Sequence, residues 1–230
     1  MRKAVFMTGT GTDVGKTYVT ALLVKKLKER GYDPAYYKAA VSGNTRGADG
    51  RLIAGDALYV KNISGIDQPL DEMCPYIYER AVSPHLAAQI EGGPVDMETV
   101  RKGFEKACET HGCVVMEGSG GIVCPIRCDD KLILLEDIIK TLGLSCIITA
   151  DAGLGTINSV VLTAEYMRRN GIKILGVILN NFHAGDVMEE DNRVMCEIVG
   201  GVKIIGTVAP DATDIDMTDE ALDALFCEEE

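Results

Sequence analysis

The chain of 230 residues carries a formal net charge of −12, and its residues are 47% hydrophobic and 25% charged, without any tryptophan. This composition is typical of a globular domain with an aliphatic core and excludes a disordered or fibrous chain. The acidic balance argues against nucleic acid and anionic membrane surfaces as partners, because both repel negative charge.

Cysteine usage and hydropathy indicate the compartment. The eight cysteines include no Cys-x-x-Cys pair, which disfavours a zinc ribbon or a thioredoxin motif, and several of them lie inside apolar runs. No apolar run is long enough to span a membrane, and the N-terminal apolar run is too short for the core of a signal peptide. We therefore expect a reduced, cytoplasmic protein.

Strand-length apolar runs alternate with helical patterns along the chain. The runs are continuous, which suits strands that are covered on both faces. The predicted strands are Ala4–Thr8, Ala35–Ala39, Cys113–Glu117, Ser145–Ala150, Ile174–Leu179 and Lys203–Val208. The predicted helices, each closed at or near a glycine, are Lys16–Arg30, Met97–Thr110, Leu134–Leu142 and Ile157–Asn170. The alternation predicts one α/β domain over residues 1–230, with a mostly parallel central sheet and helices on both faces.

Two stretches are less regular than the rest. Residues 41–95, rich in Gly, Asp and Pro, are expected to form loops and short helices over one end of the sheet. The acidic residues 211–230 are compatible with either a short helix or a loose tail.

A glycine-rich stretch, Thr8–Thr17, joins the first predicted strand to the first predicted helix. Its glycines let the backbone turn its N–H groups around an anion, and the helix adds the positive end of its dipole. Lys16 is placed to reach the β- and γ-phosphates of a nucleotide, and the Thr17 hydroxyl is placed to bind Mg²⁺. The stretch predicts a P-loop and hence a three-layer domain of the P-loop NTPase type; an ordinary glycine-rich turn is the alternative.

The length of this loop narrows the choice of function. Its first glycine is Gly9, so the loop is one residue longer than the common pattern. Gly11 stands where partition and cell-division ATPases carry an additional signature lysine. This difference argues against a nucleotide-switched protein of that type.

The second predicted strand brings a lysine towards the same place. Lys38 lies near the carboxyl end of that strand, where open α/β sheets bind their ligands, so it is a candidate for a second positive charge over the γ-phosphate. Ser42 is a candidate for holding a substrate amine or a carboxylate oxygen. Taken alone, a solvated surface lysine is the plainer interpretation of Lys38.

Two carboxylates are candidate metal ligands. Glu117 ends an apolar strand beside Gly118 and a glycine-rich turn, a position that fits the second Mg²⁺ ligand of a P-loop enzyme. A capping or solvated glutamate is the alternative. Asp56 opens a helical stretch and is either a plain N-cap or a further ligand of the same metal.

Polar stretches also follow the later strands. Gly153–Asn158 presents backbone N–H groups at a helix start, so it is either a second anion site or a tight turn between strand and helix. Asn180 ends another strand; its amide can donate to and accept from a purine edge, although asparagine is equally common in turns. His85 has no sequence neighbour that makes it a catalytic base, so we assign it no role.

Taken together, these stretches resemble the dethiobiotin synthetase family from Thr8 to about Pro210. The segments in the family's order and at its rough spacing are Gly9–Thr17, Lys38 with Ser42-Gly43, Gly55-Asp56-Ala57, Ser83-Pro84-His85, Glu117-Gly118 with Gly120-Gly121, Gly153–Asn158 and Asn180. Ala39 stands where the family usually has proline, and the short acidic C-terminal region does not match the segment that helps hold the base.

The resemblance implies an ATP- and Mg²⁺-dependent ligase of biotin biosynthesis that converts 7,8-diaminononanoate and CO₂ to dethiobiotin, through a carbamate and a carbamic–phosphoric anhydride. It implies that Lys16 and Lys38 are catalytic and that Thr17, Asp56 and Glu117 bind the metal. The implied nucleotide contacts are Asp13, Val14, Gly15, Lys16, Thr17, Tyr18, Asp56, Glu117, Gly118 and Asn180, and the implied diamine contacts are Thr12, Ser42, Gly153 and Asn158.

The resemblance also implies a homodimer in which Gly153–Asn158 of one subunit serves the site of the other. Two other functions stay open on sequence grounds. A cobyrinate amidoligase would share the phosphate loop, but 230 residues leave no room for the glutaminase domain that such enzymes usually carry. A nucleotide-switched ATPase of the partition-protein type would hydrolyse ATP slowly without any diamine.

Overall fold

The computed structural model describes residues 4–226 as strands and helices in regular alternation. The strands are β1 Ala4–Gly9, β2 Pro34–Lys38, β3 Ala40–Val41, β4 Tyr76–Ile77, β5 Cys113–Glu117, β6 Pro125–Cys128, β7 Leu132–Leu134, β8 Ser145–Asp151, β9 Ile174–Asn180 and β10 Ile204–Val208. The helices are α1 Lys16–Glu29, α2 Gly55–Ser64, α3 Pro84–Glu91, α4 Met97–Thr110, α5 Leu135–Thr141, α6 Thr156–Arg169, α7 Val187–Gly200 and α8 Asp219–Ala224, with a 3₁₀ turn at Leu70–Glu72.

Six strands form the central sheet in the order β10-β9-β8-β1-β5-β2, and every pairing in it is parallel. Successive side chains of a strand point to opposite faces, so Val5 and Met7 pack on the side of α1, α2 and α8, whereas Phe6 packs on the side of α3 to α7. The predicted three-layer α/β fold is therefore confirmed. Short pairs, β3 with β4 and β6 with β7, lie outside this sheet.

The sheet register brings the predicted site together. The carboxyl ends of parallel strands meet at one edge, where ligands bind in open α/β sheets. The loop that joins β1 to α1 begins at this edge. Lys38, the last residue of β2, is paired directly with Glu117, the last residue of β5, and Glu117 is also the register partner of Met7 on β1.

The predicted secondary structure agrees with these bounds. All six predicted strands form the central sheet, with ends that shift by no more than one residue, and the four predicted helices appear as α1, α4, α5 and α6. Residues 41–95 contain α2, α3 and short pieces, as expected. For the C-terminal region the helix is the correct alternative: α8 is capped by the Thr218 side chain, and Leu222 and Phe226 are buried against the α1 side. Residues 227–230 lie outside the described part of the chain.

Helix α7 and the short strands β6 and β7 are elements that the sequence analysis did not predict. Helix α7 is the longest of them. It is capped by Asp186, but its buried positions include Glu189, Asn192 and Cys196, while Ile198 is 70% exposed. An apolar stripe normally marks the face of a helix that packs on the core. Here the apolar residues lie on the outer face, so the pattern did not predict a core-packed helix. None of the helices in residues 4–226 has both the length and the hydrophobicity that are needed to cross a bilayer.

Candidate active site

A cavity of about 310 Å³ opens at the carboxyl edge of the sheet, beside the loop between β1 and α1. Most of the predicted site residues line it: Thr12, Asp13, Gly15, Lys16, Thr17, Tyr18, Lys38, Ser42, Asp56 and Glu117. Three further residues complete its wall: Gly120, which belongs to the glycine-rich turn after Glu117, and Val41 and Ser119, to which the sequence analysis assigned no role. Val14 and Gly118, two further predicted site residues, do not line the cavity but are sequence neighbours of residues that do. The cavity therefore joins residues from the phosphate loop, β2, α2 and β5.

The phosphate loop wraps closely around its own lysine. Lys16 is buried, and its ammonium group donates to the carbonyl oxygen of Gly11 at 2.7 Å. Burial lowers the pKa of Lys16, and the nearby positive charge of Lys38 lowers it further, against the opposite effect of the two carboxylates in the cavity. Gly15 has φ +86°, and a Cβ there would lie 2.1 Å from Nδ2 of Asn180. This position therefore needs glycine on both conformational and steric grounds.

Lys38 is a buried bridge between two carboxylates. Its ammonium lies 2.6 Å from Oδ2 of Asp56 and 2.6 Å from Oε1 of Glu117. Burial alone would lower the pKa of Lys38, but the two carboxylates outweigh burial and raise it. The lysine is 5% exposed, so the interpretation as a solvated surface residue is wrong.

Glu117 is the centre of this cluster. Its Oε1 accepts hydrogen bonds from the Thr17 hydroxyl at 2.7 Å and from Lys38, and its Oε2 accepts one from the Tyr36 hydroxyl at 3.0 Å. The side chain is almost completely buried, so the capping and solvated interpretations of Glu117 are wrong. The plain N-cap interpretation of Asp56 is also wrong, because the N-cap position of α2 is Ala54 and Asp56 lies in the first turn.

The residues at this point suit a hard divalent cation. Within residues 4–226 there is no group of three or more His, Cys, Asp and Glu side chains that could hold a metal ion without help. Mg²⁺ is usually held by one or two carboxylates together with phosphate oxygens and water, which matches Asp56, Glu117 and the Thr17 hydroxyl beside a phosphate loop. The Lys38 ammonium shows that a cation is held between these two carboxylates. The three side chains face one cavity, as a shared metal site requires; their role as ligands stays a prediction.

Asn180 has one polar atom that its protein neighbours leave unsatisfied. The residue is buried at the end of β9, and its Nδ2 donates to the carbonyl oxygen of Val14 at 3.2 Å. A carbonyl only accepts, so the nitrogen must face Val14. The amide oxygen, Oδ1, is then buried without a hydrogen-bond partner in the described structure. A buried acceptor of this kind suits an exocyclic amino group of a base. The residue with the left-handed turn conformation is the next one, Asn181.

Other predicted residues lie apart from the cavity. Gly153 and Asn158 flank the start of α6, and Asn158 is exposed to solvent. Within one chain they do not line the cavity. His85 lies on α3, with Nδ1 3.3 Å from the carbonyl oxygen of Pro125, and it is not among the described residues that line the cavity. Ser42 does line the cavity, and its hydroxyl donates to the carbonyl oxygen of Val82 at 2.5 Å, which leaves its oxygen free to accept.

Tyr36 and Ser119 are contacts of the site that sequence reasoning missed. Tyr36 lies two residues before Lys38, on the same face of β2, so the period of the strand was a usable signal. Ser119 follows the β5 carboxylate and donates its hydroxyl to the carbonyl oxygen of Ala40 at 2.9 Å, a tertiary contact that no local pattern reveals.

Comparisons with known proteins agree with this geometry. The AAA domain family matches residues 3–216. A protein of Brachyspira hyodysenteriae named ATP-dependent dethiobiotin synthetase BioD is 48% identical over 98% of this chain and 100% of its own length. Proteins of the same name from Clostridium botulinum and Clostridium perfringens are 48% and 42% identical, over 84% and 95% of this chain and 85% and 95% of their own lengths.

Solved structures share the fold at low sequence identity. The chloroplast FtsY of Physcomitrella patens superposes with a TM-score of 0.53 at 17% identity, over 99% of this chain and 66% of its own. The MinC:MinD cell division complex of Aquifex aeolicus gives a TM-score of 0.55 at 14% identity, over 90% of this chain and 81% of its own. At these identities the similarity establishes a common P-loop fold alone.

Proposed function

The chain belongs to the ATP-dependent dethiobiotin synthetase family, and we propose that it closes the cyclic urea of dethiobiotin from 7,8-diaminononanoate, CO₂ and ATP. It is a ligase of biotin biosynthesis with ATP as its co-substrate. The single observation that best supports this chemistry is the ionic cluster of buried Lys38 and Glu117 with partly exposed Asp56, which Thr17 joins to the phosphate loop. A nucleotide switch needs no second buried lysine beside the γ-phosphate position, so the switch alternative is not favoured.

The reaction has three bond-forming steps. One amine of the substrate adds to CO₂ and loses a proton, which gives a carbamate. A carbamate oxygen then attacks the γ-phosphorus; the bond from that phosphorus to the bridging oxygen breaks, and ADP leaves. The second amine attacks the carbonyl carbon of the resulting anhydride and loses one proton to solvent. The C–O bond to the phosphoryl group breaks, and inorganic phosphate leaves as the urea ring closes. The protein supplies no nucleophile, so its task is to hold two anions together.

The two lysines divide this task. Lys16, inside the phosphate loop, balances the charge of the β- and γ-phosphates throughout. Lys38 releases its carboxylate partners and donates to the carbamate and to the phosphoryl group as negative charge shifts between them. Thr17, Asp56 and Glu117 would hold Mg²⁺, which supplies charge neutralisation and orients the phosphates. The Ser42 oxygen accepts from a substrate amine, since its own proton is donated to Val82, and Thr12 lies on the same wall.

Phosphate release is the direct test of the reaction class. With ATP and Mg²⁺ present, we expect phosphate and dethiobiotin to form in equal amounts, and only when both the diamine and bicarbonate are added. Omission of either one should reduce phosphate release to the background rate. ATP hydrolysis that proceeds equally well without the diamine would instead support the nucleotide-switched ATPase.

The geometry of Asn180 supports ATP as the nucleotide. Its free Oδ1 is an acceptor for the exocyclic amino group of adenine, whereas the carbonyl oxygen that uracil or hypoxanthine presents at the corresponding edge would face it without a hydrogen bond. Tyr18 lines the cavity, and its hydroxyl donates to the carbonyl oxygen of Ala212, which connects the C-terminal segment to α1.

An exposed apolar surface supports the proposed homodimer. The α6–α7 surface consists of Leu154, Leu162, Val187, Val194, Ile198 and Val199, of which Leu154 is 92% and Val187 85% exposed. These residues lie on or beside two helices that pack against each other, and exposed apolar side chains clustered on neighbouring elements commonly mark an interface. A second copy of this chain related by a two-fold axis would cover it, and would bring the adjacent Gly153–Asn158 of one subunit towards the site of the other. The N–H groups at that helix start suit the carboxylate of the substrate.

The dimer is tested with two variants. Ile198→Asp should convert the dimer to a monomer, because it places a charge on the α6–α7 surface, and should raise the KM for the diamine. Asn158→Ala should leave a dimer with a raised KM for the diamine and an unchanged KM for ATP. Ile90→Asp, at an exposed isoleucine on α3, is the matched control for the added charge. Light scattering gives the mass; a monomeric wild-type enzyme with full activity would contradict the shared site.

The state of the cysteines supports a cytoplasmic location. Five of the cysteines that the structure describes are buried and form no disulfide: Cys74, Cys113, Cys124, Cys146 and Cys196. Burial raises the pKa of several, including Cys113 and Cys74, to about 12 in each case, which keeps them protonated and unreactive. Unpaired thiols are typical of proteins in a reducing compartment.

A further inference from the structure

Tyr36 is a buried polar residue behind the ionic cluster that the proposed mechanism does not use. It is completely buried on β2, on the same face of the sheet as Lys38. Its hydroxyl donates to Oε2 of Glu117 at 3.0 Å. Because a carboxylate oxygen only accepts, the phenol is the donor in this contact.

The two oxygens of Glu117 have different surroundings. Oε1 receives the Thr17 hydroxyl and the Lys38 ammonium, so it is the oxygen that faces the cavity. Oε2 receives Tyr36 from the opposite side. Rotation of the carboxylate would exchange the two oxygens, and the Tyr36 hydrogen bond opposes this rotation. A side chain that is 1% exposed has almost no water to replace that donor.

We propose that Tyr36 is a positioning residue of the metal site, which fixes the carboxylate of Glu117 so that Oε1 is presented to the cation beside Thr17. The proposal rests on the proposed metal site, not on the identity of the substrate that is ligated. Residues that hold the ligands of a metal in place commonly contribute about 10- to 100-fold to metal affinity. Tyr36 does not line the cavity, so its effect must pass through Glu117.

The neighbouring residue provides a matched control. Tyr37 is equally buried, lies on the opposite face of the same strand, and donates its hydroxyl to the carbonyl oxygen of Val100 at 3.0 Å. Tyr37→Phe and Tyr36→Phe each remove one buried hydroxyl and one hydrogen bond. Their costs in folding stability should therefore be similar, at about 1 kcal/mol. Only Tyr36→Phe removes a hydrogen bond to a proposed metal ligand.

Metal binding is measured without turnover, with Mn²⁺ as the probe and ADP as the nucleotide. Free Mn²⁺ is counted by its electron paramagnetic resonance signal in the presence of enzyme and ADP. We expect Tyr36→Phe to weaken Mn²⁺ binding by about 10- to 100-fold, while Tyr37→Phe stays within about twofold of the wild type and both variants bind ADP normally without metal. In the Glu117→Ala background, Tyr36→Phe should have no further effect on Mn²⁺ binding.

Turnover gives a second readout. If Tyr36 positions the metal ligand, Tyr36→Phe raises the Mg²⁺ concentration for half-maximal activity and approaches the wild-type rate at saturating Mg²⁺. Equal Mn²⁺ affinities of Tyr36→Phe and Tyr37→Phe would overturn the proposal, as would an undiminished effect of Tyr36→Phe in the Glu117→Ala background. Mn²⁺ binding is measured without the diamine. The test of Tyr36 can therefore succeed or fail independently of the proposed ring closure.

Discussion

Lys38→Ala should slow ring closure by about 100-fold or more and leave ATP affinity nearly unchanged. The reason is that Lys38 contacts Asp56 and Glu117 in the resting site, not a phosphate-loop atom. It is expected to act on charge that develops as the carbamate attacks the γ-phosphoryl group, so its loss affects the transition state more than nucleotide binding. Turnover at saturating substrates and ATP binding by calorimetry measure the two effects separately.

Lys38→Ala should not weaken binding of the divalent cation, although it slows the reaction. Removal of Lys38 leaves Asp56 and Glu117 without their bridging cation, and the negative charge of the buried Glu117 then has no cationic partner, which is unfavourable. A divalent cation should therefore bind at least as tightly to Lys38→Ala as to the wild type. Lys106→Ala, which removes a lysine from an exposed ion pair with Glu72, controls for the loss of a positive charge. A Lys38→Ala enzyme with near-normal turnover would remove this lysine from the reaction.

Lys16→Ala should lower both nucleotide affinity and turnover. Lys16 lies within the phosphate loop, where its ammonium is held by the Gly11 carbonyl oxygen at 2.7 Å and can turn to the phosphates. Loss of one charged hydrogen bond costs about 1.5–3 kcal/mol, which corresponds to a weakening of ATP binding by roughly 10- to 100-fold. Because the charge acts in the ground state and the transition state alike, the rate at saturating ATP should fall as well.

The contrast between the two lysines is the informative result. Titration calorimetry with ATP should show weak binding by Lys16→Ala and normal binding by Lys38→Ala, although both enzymes are slow. If Lys16→Ala bound ATP with normal affinity, the proposed contact of Lys16 with the β- and γ-phosphates would be contradicted. The Lys106→Ala enzyme should match the wild type in both measurements.

The sheet and the phosphate loop were predictable from the sequence because their signals are local. The six central strands are continuous apolar runs, and such runs are readable when both faces of a sheet are covered. The Gly9–Thr17 loop carries its chemistry in consecutive residues. The prediction of α1 follows for the same reason, since Lys16 opens the helix and Gly31 follows its end.

The arrangement of the site depended on contacts between distant parts of the chain. Lys38 is bridged to Glu117 because β2 pairs with β5 in a register that places the two residues side by side. Asp56 reaches the same ammonium from the first turn of α2, and no spacing in the sequence reports this approach. Lys38 was therefore a candidate from its position at a strand end, while its burial and its two partners could not be predicted.

Helix α7 shows where periodicity misleads. Its buried face carries Glu189 and Asn192, because the Asn192 amide donates to the carbonyl oxygen of Ala152 and Glu189 accepts from His183. Its apolar residues, among them Ile198, face outward. Apolar residues on the outer face of a helix are expected where another surface covers that face. The usual criterion, an apolar stripe that faces the core, therefore does not identify α7 as a helix.

The fate of labelled bicarbonate tests the central claim most directly. The enzyme is given ATP, the diamine and bicarbonate that carries both ¹³C and ¹⁸O, and the products are analysed by mass spectrometry before the label exchanges with water. If a carbamate oxygen attacks the γ-phosphate, the ¹³C appears in the urea carbon of dethiobiotin and one ¹⁸O atom appears in each phosphate released. Phosphate that takes its new oxygen from water, with no ¹³C in dethiobiotin, would contradict the account.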